Sequence, residues 1–186
     1  MSSEGRRTVI GIDPGDSSGV AVWALDADGG ARLVETWPAS LRGMSATWAA
    51  ASMLGSTLDG SAGWVAAVER PFNRRGPVHG ERSWRDLLEE LARQRAQGRP
   101  YRKPTVLRPY PQTWRKALGL PTRGGVKLET WARMRQAHAL DLHATPDEAD
   151  ACAIGLWACY AVALAEKMKA RTIPVGRRAV PWRWVP

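Results

Sequence analysis

Cysteine, phenylalanine and histidine are scarce in this chain of 186 residues, with two, one and three of them respectively. The cysteines, Cys152 and Cys159, fall two turns apart in one helical pattern. At a rise of about 1.5 Å per residue they stand too far apart for a disulfide, so they read as small core residues in a reducing cytoplasm. The histidines, His79, His138 and His143, match no metal-ligand spacing, which excludes a zinc centre of the His/Cys kind. No run approaches the roughly 18 consecutive apolar residues of a membrane span. Residues 1–7 lead directly into a strand pattern and lack the apolar segment of a signal peptide. Internal repeats and low-complexity segments are absent as well, so a solenoid is not expected.

Hydrophobic residues make up 44% of the chain, enough for a proper core in one compact domain. Lys and Arg number 27 against 18 Asp and Glu, a net charge of +9, with a pI near 10.4. A balance this basic points to a polyanionic partner, nucleic acid before membrane, although a merely basic soluble protein has the same composition.

Residues 8–12 form a short β-branched run that ends at Asp13-Pro14-Gly15. Runs at 19–25 and 31–37, separated by a turn cluster at 26–30, complete an antiparallel meander. Helix-forming residues at 44–58 precede a strand at 64–68 that ends at Glu69, and a Pro- and Gly-containing loop covers 70–80. The helix over 83–97 is amphipathic, with Trp84, Leu87, Leu88, Leu91 and Ala92 on one face. That stripe fits either core or a dimer interface. A strand at 105–107, helices at 112–117 and 127–139, and a long apolar helix at 146–169 follow. This order gives an α/β fold, a mixed five-stranded sheet flanked by helices, as one domain over 1–169 with a basic, Trp-containing tail over 170–186.

Acids stand at telling places in this scheme. Asp13 and Glu69 each follow a buried strand, where a carboxylate projects from the sheet's end, although ordinary turn residues occur there too. Thr145-Pro146-Asp147-Glu148 reads as a capping box, with Thr145 at the N-cap, Pro146 at N1 and Glu148 reaching back to the Thr145 amide. Asp147 and Asp150 share a helix face. The helix macrodipole accounts for Asp147. Asp150 opens a helix that is apolar nearly all round, and an acid there needs a partner, for which a metal ion is economical. Oxygen-only ligands favour Mg²⁺, with Mn²⁺ able to substitute. Four carboxylates can bridge two such ions roughly 4 Å apart, an arrangement suited to phosphodiester hydrolysis.

Gly11-Ile12-Asp13-Pro14-Gly15 with Gly19-Val20-Ala21 resembles the opening motif of the RuvC-type Holliday junction resolvases. Val68-Glu69-Arg70-Pro71-Phe72 resembles their second motif, and Asp147-Glu148-Ala149-Asp150-Ala151 with Ala153-Ile154 their last. Tyr110-Pro111, followed by Arg115, Lys116, Gly119 and Lys127, is similar to the family's basic segment, and the likeness runs over residues 8–165. The resemblance implies an RNase H-like fold, a homodimer acting on branched DNA, and nicking of a four-way junction with two Mg²⁺ per active site, in a bacterial or phage-infected cell. It makes Asp13, Glu69, Asp147 and Asp150 both catalytic and metal-binding. It also has Phe72, the only Phe beside ten Trp, stack at the crossover, where a local hydrophobic anchor is the other reading. The loop carrying Asn73, Arg74 and Arg75 departs from the family pattern, as does the tail with Trp182 and Trp184, which leaves a broader branched-DNA or RNA–DNA hybrid nuclease open.

Arg74, Arg75, Arg115, Lys116, Arg123 and Lys127 are expected in or near loops around the acids, as a DNA-binding rim that tracks phosphates. Lys116 and Lys127 are best placed for the scissile region, and His143 reads as a surface residue. Two other classes share features with this sequence. An actin/Hsp70-like nucleotide-binding protein has the same meander, but needs a second Gly-rich loop and a second domain. A non-catalytic junction-binding protein would not require all four acids.

Overall fold

The computed structural model describes residues 7–170 apart from 16, 59–62, 71–78, 97–102, 124–125, 139 and 142. Three strands come first, β1 (Arg7–Asp13), β2 (Ser18–Leu25) and β3 (Ala31–Ala39), then α1 (Met44–Leu58), β4 (Trp64–Val68), α2 (His79–Ala96) and β5 (Thr105–Leu107). Helices α3 (Pro111–Ala117), α4 (Val126–His138) and α5 (Pro146–Ala170) close the chain. The sheet order is β3-β2-β1-β4-β5. β1, β2 and β3 pair antiparallel, while β4 runs parallel to β1 and β5 parallel to β4.

Side chains on a strand alternate between faces, and β1 shows what each face meets. Val9 points into a core made with Trp114, Met134 and the buried residues of α5. Ile10 and Ile12 point the other way, against Leu54 and Leu58 of α1 and Trp84, Leu88 and Leu91 of α2. The apolar stripe of α2 is therefore core and not a dimer interface. With both faces covered, β2 is buried along its whole length, which is why its sequence reads as a continuous apolar run. Cys152 and Cys159 are buried and unbonded in the first core.

Helix α5 lies directly on the sheet backbone. A Cβ on Gly11 would come within 2.1 Å of the Ala151 carbonyl oxygen, and one on Gly19 within 2.0 Å of the Asp147 carbonyl oxygen. Gly19 pairs with Asp13 across β1 and β2, so this contact sets the first turn of α5 beside the end of β1. Gly11→Ala and Gly19→Ala should each lower stability by about 1–3 kcal/mol or more, because backbone cannot give way as a flexible side chain can. Urea unfolding midpoints check this, and an unchanged midpoint would mean that α5 can lift off the sheet at no cost.

Some boundaries differ from the sequence reading. α2 begins at His79, ahead of the expected start at 83, because its first turn is fixed by polar and backbone contacts. Glu81 is buried against Arg108, and Gly80 lies on Pro14. β3 runs on to Ala39, past the expected end at 37, as the edge partner of β2. α3 starts at Pro111, with the Pro ring in its first turn.

Candidate active site

Asp13 ends β1, and Glu69 is the first residue after β4, its amide donating to the Ile12 carbonyl at 3.0 Å. The parallel register of these two strands thus sets the two acids side by side at one end of the sheet. The turn after Asp13 is pinned from within. The buried Ser18 hydroxyl bonds both the Gly15 amide and the Gly15 carbonyl at 3.2 Å, and accepts the Trp84 indole N–H at 3.1 Å.

The capping box forms at the start of α5 as expected. Glu148 Oε2 accepts the Thr145 amide at 2.8 Å, and Thr145 Oγ1 accepts the Glu148 amide at 3.2 Å. Glu148 Oε1 also accepts the Thr36 hydroxyl at 3.1 Å, tying the helix start to β3. Glu148 is thus a structural residue, and the turn it fixes carries Asp147 and Asp150.

Two adjacent residues of α3 hold the inner acids. The Trp114 indole N–H donates to Glu69 Oε2 at 2.7 Å. Arg115 bonds Asp150 Oδ2 at 2.7 Å and the Thr130 hydroxyl at 3.0 Å, with its guanidinium stacked on the Trp114 ring. The outer acids share a lysine: Lys127 Nζ lies 2.5 Å from Asp147 Oδ1 and 3.4 Å from Asp13 Oδ2.

Arg115 is not the rim residue expected from the sequence. It is only 7% exposed and turned inward, because Asp150, 2% exposed on a buried helix, needs a counter-charge. Lys116 and Arg123 are exposed, and Lys127 is half exposed at the mouth. Phe72, Arg74 and Arg75 lie outside the described residues, as does nearly all of the tail. His143 is exposed, and His138 packs edge-on against Trp23. Trp114 and Thr130 were not singled out from the sequence, where nothing local to either shows its distant partner.

Burial sets the electrostatics. It pushes the Glu69 carboxyl up to about 8, with the Asp13 charge adding to it and the Trp114 bond opposing. It pushes Asp150 up to about 7, again helped by Asp13 and opposed by Arg115. Asp13 is also raised, by burial above all, against the pull of Lys127. For Lys127 burial favours the neutral form, but Asp13 and Asp147 outweigh it and raise its pKa. At Asp13, Glu69 and Asp150 burial thus outweighs the nearby cations.

The donor set fits a hard divalent cation. All four side chains offer only carboxylate oxygens, and Asp150 Oδ1 is buried with no hydrogen-bond partner among the described residues. Among the described residues, no three of His, Cys, Asp and Glu close on a common point as a finished metal shell. Lys127 stands between two of the acids instead.

Set beside solved structures, the chain matches Thermus thermophilus RuvC in complex with a Holliday junction substrate at a TM-score of 0.59 and 22% identity, over 85% of this chain and 96% of that one. The fold is that of RuvC. A second Thermus thermophilus RuvC structure agrees, at a TM-score of 0.58 and 21% identity over 83% of this chain and 95% of that one. A yeast mitochondrial Holliday junction resolvase, Ydc2, aligns more loosely, at 0.47 and 16% identity over 87% and 82% of the two chains. No family model matches the chain, and no curated protein matches it. The mixed five-stranded sheet with helices on its two faces is the architecture this chain shares with those RuvC structures.

Proposed function

We propose that this chain is an Mg²⁺-dependent, structure-selective endodeoxyribonuclease that resolves four-way DNA junctions by paired nicks, acting as a homodimer. The observation that carries the reading is the placement of Asp13 and Glu69 at the ends of β1 and β4, with Asp147 joined to Asp13 through Lys127, Asp150 acting electrostatically on Glu69, and Asp150 Oδ1 buried without a partner among the described residues. A RuvC structure that holds a Holliday junction supports the choice of substrate.

These four acids would hold the ions, which when bound supply the charge that activates water and stabilises the departing oxygen of the phosphodiester. The chain's own groups do the rest. Arg115 fixes Asp150 through Oδ2 and leaves Oδ1 free, and Trp114 fixes Glu69 through Oε2. Lys127 at the mouth, with the exposed Lys116 and Arg123, would offer positive charge to the DNA backbone. One site per chain and two opposed strands to cut call for two-fold symmetry, hence the homodimer. Incubation with Mg²⁺ and synthetic four-way junction, duplex, flap and RNA–DNA hybrid tests the reading. Cleavage of the junction ahead of the others is expected, and preference for the hybrid would replace junction resolution with hybrid cleavage on the same fold.

DNA binding should be steeply salt-dependent. Each phosphate neutralised contributes about −0.9 to the slope of log K against log salt. Removing charge together at Lys116, Arg123 and Lys127 should flatten that slope, whereas Arg115, paired inside the protein, should not contribute to it. An unchanged slope in the combined variant would move the basic face elsewhere.

A further inference from the structure

We infer that Lys127 is an exchangeable internal counter-ion of the acid cluster, filling the position of a divalent cation between Asp13 and Asp147 and giving it up when metal binds. The inference rests on the proposed metal-dependent function and deepens it.

The acids divide into two pairs by how they are held. Glu69 and Asp150 are bound by Trp114 and Arg115, both buried and locked in α3. Each holder takes one oxygen, Oε2 of Glu69 or Oδ2 of Asp150, and leaves the other. Asp13 and Asp147 are bridged by a single ammonium on a flexible four-carbon stem whose side chain is 54% exposed. The first pair can only be rearranged by disturbing the core. The second can be released by rotation of one side chain into solvent.

A divalent cation placed between the two oxygens that Lys127 now bridges would displace it. Mg²⁺ sits about 2.0–2.1 Å from its carboxylate oxygens, and Lys127 Nζ already lies 2.5 Å from Asp147 Oδ1 and 3.4 Å from Asp13 Oδ2. Two cations so close would also repel. Metal entry therefore costs the two lysine contacts, and the displaced ammonium stays at the mouth, within reach of a phosphate brought to the site. Divalent metal and DNA then strengthen one another's binding partly through this one side chain, and by the same factor in each direction.

The test is direct titration of the DNA-free protein with Mn²⁺, followed by calorimetry, for wild type, Lys127→Met and Lys127→Arg. Lys127→Met removes the competing charge and keeps the stem, so Mn²⁺ should bind about tenfold tighter or more, from the loss of a unit charge close to the cation. Lys127→Arg keeps the charge and should not gain. Equal affinity in wild type and Lys127→Met, or weaker binding by Lys127→Met, would overturn the inference while leaving the metal site standing. Failure of all three proteins to take up Mn²⁺ would overturn the metal-dependent function itself. A second reading separates release from mere competition: Mn²⁺ should raise the affinity of wild type for a short duplex more than it raises that of Lys127→Met, and equal gains would contradict the hand-over to phosphate.

Discussion

Asp13→Asn, Glu69→Gln, Asp147→Asn and Asp150→Asn should each reduce junction cleavage about a thousandfold or more while leaving junction binding. Each carboxamide keeps the size of the acid but loses a charge that the proposed metal ions would need, and metal catalysis supplies several kcal/mol at about tenfold in rate per 1.36 kcal/mol. Binding should depend on exposed basic residues instead, so it should survive. Stability checks the geometry. Asp150→Asn keeps an amide oxygen for the Arg115 guanidinium and removes a charge that burial disfavours, so in chelator at pH 8 it should be no less stable than wild type. Glu69→Gln keeps an oxygen for the Trp114 indole and should be well folded. Glu148→Gln serves as control, since Gln can also close a capping box, and should cleave nearly normally. Near-normal nicking by any one of the four acid variants would remove that residue from the site.

Without metal, the protein should lose stability as pH rises from 3.8 to about 8. Burial raises the folded-state pKa of Glu69 from 4.5 to about 8 and that of Asp150 from 3.8 to about 7. The folded chain therefore holds protons in this window that the unfolded chain has released, so stability falls with rising pH and levels off above it. The effect is on the order of a few kcal/mol. Mg²⁺ should bind the ionised acids and so restore stability at pH 8 far more than at pH 5. Glu69→Gln should remove much of the pH dependence, being more stable than wild type in chelator at pH 8, and should lose most of the gain from Mg²⁺. Urea unfolding at both pH values, in chelator and in Mg²⁺, decides this. A flat or rising stability in chelator would show that the acids are not crowded as described.

What the sequence makes legible is what depends on neighbours along the chain. α1, β4 and β5 fall where the reading put them, because turn residues or a switch in periodicity mark their ends. The capping box was legible for the same reason, since Thr145 and Glu148 are three residues apart. The acids could be singled out one at a time from strand ends and a helix start, but their meeting depends on α5 crossing β1 and β2 at Gly11 and Gly19. Arg115 shows the limit. Beside exposed Lys116 it reads as one more surface charge, and only the buried Asp150, 35 residues on, turns it inward. Trp114 is likewise explained by Glu69, 45 residues before it.

Asp13, Glu69, Asp147 and Asp150 are proposed to make one metal-dependent junction-cutting site on a fold shared with RuvC. The most direct test is a four-way junction labelled in turn on each strand, incubated with the protein in Mg²⁺ and in chelator. The account predicts nicks at symmetrically related positions on two opposed strands in Mg²⁺ and none in chelator. Nicks that persist in chelator, or an intact junction in Mg²⁺ despite tight binding, would contradict it.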